Sequence, residues 1–256
     1  MKSLLAFIKK EIMEQLRTGK FLIMGILFIL FGIMNPAVAK LTPWLLENFA
    51  DSLAESGMTI TSVTVSAMDS WMQFFKNIPM ALIVFVLLES SIFTKEYQTG
   101  SLILPLTKGI GRYKIVVSKG IVLTVLWTAC YWLCFGITYG YNAYFWDNTV
   151  AKNLTFSVVC YWVFGLWIIM LTILFSVIAR TNIGALTGTG VVVVVSYLLD
   201  MIPKMSKYLP ITLADGYSLI YGMAEAETYK MPLTIAVATG VLCFAISIPI
   251  FDKQEI

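Results

Sequence analysis

The sequence predicts an all-α integral membrane protein with six transmembrane helices, an N-terminal amphipathic interfacial helix and short re-entrant helices before the last span. Three observations predict it. Of 256 residues, 59% are hydrophobic and only 13% charged, and the mean hydropathy is +0.83, so the chain carries more apolar surface than one water-soluble core of this length can hide. Six apolar runs match the roughly 20 residues needed to cross the hydrocarbon layer. Lys and Arg are divided unevenly between the two sets of loops. No composition shift divides the chain, so residues 1–256 read as a single membrane domain.

Residues 1–20 are charged throughout and hold no short apolar core ahead of a cleavage site, so they read as an interfacial helix and not as a signal peptide. At about 100° per residue Leu4, Leu5, Ile8, Ile12 and Leu16 share one face, and Lys2, Lys9, Lys10, Glu14 and Arg17 the other. Phe7 breaks this pattern. The spans are expected at 21–38, 77–93, 115–141, 154–179, 183–202 and 231–251, the second being short and carrying Pro79 and Glu89.

Twelve of the 18 Lys and Arg residues fall on the side of the termini and six opposite, which predicts cytoplasmic termini in the cell membrane. Segment 40–76 on the far side carries Glu47, Asp51, Glu55 and Asp69 with Trp44 and Trp71, and is expected at the outer surface with its tryptophans at headgroup level. Segment 203–230, with breaks at Pro203, Pro210 and Pro232, contains Tyr208, Leu209, Ile211, Tyr217, Leu219, Ile220 and Tyr221. That is too apolar for a free loop, and it reads as interfacial or re-entrant helices plugging the outer side between spans five and six.

Catalytic classes are largely excluded. The chain has no histidine, which removes H-E-x-x-H zinc sites and serine–histidine pairs. Gly19-Lys20 is followed by Phe21 and no phosphate loop exists, so ATP is not bound by that device. Asp200 and Glu89 are placed at opposite faces, too far apart for an aspartyl dyad. Cys130, Cys134, Cys160 and Cys243 lie within apolar runs as small hydrophobes, and no metal site is expected. The net charge of +3 is the topology signal of inner loops and does not call for nucleic acid as a partner.

Glu89 is the one acid inside an apolar run. Either it is functional, or it reaches the inner interface or pairs with a basic residue such as Lys119; Asp200 is expected at the outer headgroups. Gly136 and Gly140, and Gly184 and Gly188, make two G-x-x-x-G spacings suited to helix packing, within the bundle or between subunits.

The distinctive stretch is 94–119, TKEYQTGSLILPLTKGIGRYKIVVSK. It has a charged helix end at Lys95 and Glu96, a break at Gly100, an apolar insert at 101–106, and a basic glycine turn at Lys108, Gly109, Gly111 and Arg112. An ordinary positive-inside loop explains the charges but not the insert. A short helix at the membrane surface with an apolar anchor and a charged rim could dock into the groove of a soluble partner.

At these residues the chain resembles the permease subunit of type 2 ATP-binding-cassette (ABC-2) exporters, which show a glutamate, a Gly-Thr pair, a leucine-rich stretch ending in Pro, a basic turn and a lysine entering span three. Glu96, Gly100, Pro105, Arg112 and Lys119 fit, and Ser101 replaces the usual threonine. The resemblance implies that 94–119 is a cytoplasmic coupling loop with its coupling helix at 100–108, oriented by Glu96 and Arg112, and that Glu96, Gly100, Ser101, Leu104, Pro105, Leu106, Lys108 and Arg112 couple it to an ABC ATPase, which would bind the ATP and Mg. It implies a pathway formed with a second copy or paralogue, membrane lipids as surroundings, and no catalytic residues in this chain. The expected function is a permease subunit exporting hydrophobic or amphipathic substrates such as peptides, lipids or drugs. A secondary transporter and a non-transporting membrane anchor protein are the alternatives; the former predicts internal repeats and midplane charge, neither of which is evident.

Overall fold

The computed structural model describes residues 2–48, 64–100, 107 and 111–254, and every regular element among them is helical. The amphipathic N-terminal stretch is α1 (Lys2–Arg17), set off from α2 (Lys20–Asn48) by Gly19 in the left-handed region at φ +72°. Next come α3 (Ala67–Glu89) and α4 (Ser91–Thr99), then α5 (Arg112–Phe145), α6 (Leu154–Ala179) and α7 (Asn182–Asp200). Three short pieces, α8 (Pro203–Ser206), a 3₁₀ turn (Pro210–Ala214) and α9 (Gly216–Ile220), lead to α10 (Ala226–Asp252). Six of these stretches are long and apolar enough to cross a membrane, as expected.

The second span is not short. It runs over Ala67–Tyr97, 31 residues, through α3 and into α4, whereas the shortest is Asn182–Asp200 with 19. Asp69 opens it: Ser66 Oγ accepts from the Met68 N–H at 3.3 Å, and Asp69 Oδ2 accepts from the Ser66 N–H at 2.8 Å, a reciprocal capping box. Polar residues that read as loop are therefore helix-initiating. Trp71, expected at the headgroups, is fully buried and donates from Nε1 to Asn148 Oδ1 at 3.1 Å; Trp44 is exposed. Pro232 is no break but lies inside α10, which begins at Ala226 rather than 231.

Helix α6 is the centre of the bundle. Of its most apolar window 56% is buried, against 17% for both α7 and α10, which pack on it from outside. Helix α2 lies between α3 and α5, and α10 runs along α6 and α5. Trp127 joins these layers: it meets Phe28 of α2 and Phe85 of α3 edge-on at 6.0 and 5.5 Å and donates from Nε1 to Trp162 O of α6 at 3.2 Å. Only glycine fits opposite it at 165, where an added Cβ would stand 2.2 Å from the indole. Leu22, Ile26 and Leu30 of α2 and Val191, Val194 and Leu198 of α7 are exposed at helical spacing, a surface suited to lipid.

The segment before α10 is packed, not free. Its 3₁₀ turn contacts α6, α7 and α10, α9 contacts α6 and α3, and Leu213, Leu219 and Ile220 are fully buried. Asp200, expected at the outer headgroups, lies 3.3 Å from the Thr212 hydroxyl, which also reaches Ser206 O at 2.8 Å.

Candidate functional site

Helix α1 is more than an amphipathic strip. Phe7, Glu11 and Gln15, four residues apart, are all buried and dock α1 on the bundle, while Leu5, Ile12 and Leu16 remain exposed. Phe7 departs from the two-face pattern because the helix has a third face, directed at protein.

Docked on that third face is a buried charge cluster. Lys119, in the third turn of α5 and 1% exposed, places Nζ 2.9 Å from Glu11 Oε2 of α1 and 2.9 Å from Glu96 Oε2 of α4, and donates to Ile92 O at 2.8 Å. The ammonium donates hydrogen bonds to Glu11 and Ile92, while its contact with Glu96 is an ion pair only: Oε2 of Glu96 has no hydrogen-bond partner among the described residues. Lys10 lies on the outer side of the same carboxylates, 2.9 Å from Glu11 Oε1, 3.2 Å from Glu14 Oε2 and paired with Glu96 Oε1. Carboxylate oxygens of Glu11, Glu14 and Glu96 come within 4.8 Å of one another, a grouping that could ligate a cation. The Lys10 ammonium stands at that point and meets all three. Burial pulls its pKa down, but Glu11 and Glu96 outweigh burial and hold it above its ordinary range.

Glu89 is 2% exposed and belongs to an adjoining cluster. It accepts from Gln15 Nε2 at 2.6 Å and faces Lys20 Nζ at 3.9 Å; Lys20 donates to Leu88 O at 2.6 Å and Ser91 Oγ at 2.9 Å. Its partner is therefore Lys20, not Lys119, which Glu11 and Glu96 engage. Oε1 of Glu89 and Oε1 of Gln15 have no hydrogen-bond partner among the described residues.

Helix α4 ends at Gly100, whose φ of +63° is the left-handed cap favoured by glycine, with its N–H directed at Tyr97 O at 3.4 Å. Thr94 and Glu96, expected at the start of a surface loop, are buried in this helix, and residues 112–119 are the first turns of α5. Ser101, Leu104, Pro105, Leu106 and Lys108 lie outside the described residues. Beyond the loop Arg112 donates from Nη1 to Asp252 O at 2.9 Å and to Gln254 O. Gln254 ties four helices at this point: it accepts from Tyr97 Oη at 2.6 Å and donates to Val177 O at 2.8 Å.

Gly184 and Gly188 sit where α7 approaches α6; an added Cβ at 188 would meet the Phe175 ring at 2.3 Å, and one at 184 would meet Ala179 Cβ at 2.4 Å. Gly136 and Gly140 are exposed on α5 with nothing within 4 Å of an added Cβ, so their spacing packs no helix among the described residues. Sequence reasoning missed Lys10, Glu11, Gln15, Lys20 and Gln254. The one available signal was Phe7, in register with Glu11 and Gln15.

A second polar cluster lies deeper. Asn35 of α2 donates to Thr138 Oγ1 of α5 at 3.1 Å and accepts from Asn77 of α3 at 2.9 Å, and Thr138 donates to Gly32 O at 3.0 Å. It holds no charge.

Residues 5–238 match the model of a family described as ABC-2 family transporter protein. A relative, an uncharacterized transmembrane protein of Bacillus subtilis (strain 168) called YxlG, is 22% identical over 261 residues, covering 100% of this chain and 99% of its own length. With six membrane-spanning helices arranged as described and a family match over nearly its whole length, this multi-pass membrane protein belongs to the ABC-2 transporter family.

Proposed function

We propose that the chain is the permease subunit of an ABC exporter in the cell membrane, forming its pathway with a second copy or a paralogue and driven by a separate ATPase. Residues 1–256 act as one transmembrane domain with both termini cytoplasmic, and the segment between α4 and α5 is the coupling element. Leu104, Pro105 and Leu106 anchor in the ATPase, Ser101 and Lys108 flank the anchor, and Glu96, Gly100 and Arg112 fix the helices on either side. ATP and Mg are bound by the ATPase, and this chain has no phosphate loop with which to cradle ATP itself.

The observation that carries this reading is the bracing of both ends of that segment. Glu96 of α4 is joined through Lys119 to α5 and α1, and Arg112 of α5 to the end of α10. A push arriving at Glu96 or Arg112 is shared among α1, α4, α5 and α10.

An apolar groove of about 380 Å³ between α3, α6 and α7, lined by Leu82, Val86, Phe164, Ile168 and Val193 with Thr189, supports hydrophobic or amphipathic substrates. The deciding experiment is co-purification with an ABC ATPase. Leu104→Asp with Leu106→Asp should abolish both the complex and its substrate-stimulated ATP hydrolysis; an intact, coupled complex refutes the assignment.

A further inference from the structure

Glu89 of α3 and Gln15 of α1 share one hydrogen bond and leave two oxygens bare. Gln15 Nε2 donates to Glu89 Oε2 at 2.6 Å, the residues are 7% and 2% exposed, and Oε1 of each has no hydrogen-bond partner among the described residues. Two acceptors cannot satisfy each other. As a carboxylate, Glu89 would leave both oxygens unpaired inside a membrane-spanning helix, where a bare polar atom is costly.

The cations around Glu89 are committed elsewhere. Lys20 of α2 stands 3.9 Å from Oε2, beyond hydrogen-bond reach, and donates to Leu88 O and Ser91 Oγ. Lys119 of α5 also acts on Glu89 but is held by Glu11 and Glu96. Glu11 of α1 adds negative charge, Cys130 of α5 is a neighbouring thiol, and Glu14 and the exposed Lys95 of α4 line the small cleft beside Gln15 and Lys20. Across the two adjoining clusters the ammoniums of Lys10, Lys20 and Lys119 are matched by the carboxylates of Glu11, Glu14 and Glu96. Glu89 is the acid left over.

We propose that Glu89 is a proton-binding site: at neutral pH its Oε1 carries a proton and donates it to Gln15 Oε1, closing a cyclic carboxylic acid–amide pair between α3 and α1. One proton taken from water satisfies both bare oxygens. Its return to water sets a carboxylate against the Gln15 carbonyl oxygen, so the seating of α1 depends on it. The site rests on these two side chains and holds whether or not the chain couples to an ATPase.

The test is infrared spectroscopy and chemical unfolding of the full chain in detergent micelles. At neutral pH the spectrum should contain a protonated-carboxyl stretching band that Glu89→Gln removes and that Gln15→Met, which takes away the acceptor, shifts toward a free carboxyl. Glu89→Gln keeps the pairing, since an amide also donates to Gln15 Oε1 and accepts from Nε2. A proton kept in the fold and released on unfolding makes stability fall as pH rises. Relative to Glu89→Gln, the folding constant of the unsubstituted protein should therefore drop about tenfold per pH unit between about pH 5 and pH 7. An ionised Glu89 paired with Lys20 predicts no such band, a relative stability level or rising with pH, and a Glu89→Gln variant weaker than the unsubstituted protein at neutral pH. Any of these three results overturns the proposal.

Discussion

The two buried polar clusters solve the same problem with different chemistry. At the α1 end, Glu11, Glu96, Lys10 and Lys119 bring full charges together; further along the spans, Asn35, Asn77 and Thr138 use neutral groups only. A buried ion costs several kcal/mol in desolvation and survives only with its counter-charges in place, whereas an amide needs just a hydrogen-bond partner. The charged cluster lies at the end of the spans, beside the half-exposed Lys10, where the interface lessens that cost. The neutral one joins three spans where no such relief exists. Charge is thus placed where helices bordering the proposed coupling segment must be held, and amides where spans are simply fastened.

Breaking the charged cluster should have the largest effect. Lys119→Met leaves Glu11 and Glu96 buried with Lys10 alone, at a cost of about 3–5 kcal/mol, read as a lowered thermal midpoint in detergent. Adding Glu11→Gln and Glu96→Gln should restore part of the loss, because neutral partners do not need the ammonium. If the triple variant is no better than the single one, the cluster is not held by charge. Asn35→Leu should cost less, about 0.6–1.7 kcal/mol, since a membrane hydrogen bond between neutral groups is worth no more. A larger loss than for Lys119→Met would invert the comparison.

Arg112→Gln should cost about 1 kcal/mol or less, because its bonds to the α10 terminus are partly exposed. Hydrogen exchange at residues 252–254 should quicken while exchange in α2 is unchanged. The smallest effect is on pH dependence. Lys10 is held above its ordinary 10.5, so its contribution is fully present below that pH and is lost as pH rises through its folded value. The stability gap between the protein and Lys10→Met should therefore be flat up to pH 10.5 and narrow above it; a gap that closes in the neutral range would contradict the pairing.

Much of the fold was legible because span-length apolar runs are a local signal. The second span was misjudged at its start for an equally local reason: Asp69 and Lys76 look like loop, but Asp69 caps the helix. The site was legible in part. Glu96, Arg112 and Lys119 stood out by their place around the glycine-flanked insert, but Glu11 did not, since its partner Lys119 is 108 residues away and the register of Phe7 with Glu11 marks a protein-facing side of α1 without saying what it meets. Gly188 and Gly140 show the same limit: identical spacings pack against Phe175 in one case and against nothing among the described residues in the other.

By itself the sequence determined the number of spans, the amphipathic N-terminal helix, the packed segment before α10 and the family, because lipid imposes length and polarity on each helix separately. The tertiary structure alone decided which buried charges meet. An ion pair within a bundle depends on which helix faces lie together, and that is set by the packing of α1, α4 and α5 around Phe7, Phe93 and Lys119, not by the order of residues in any one of them.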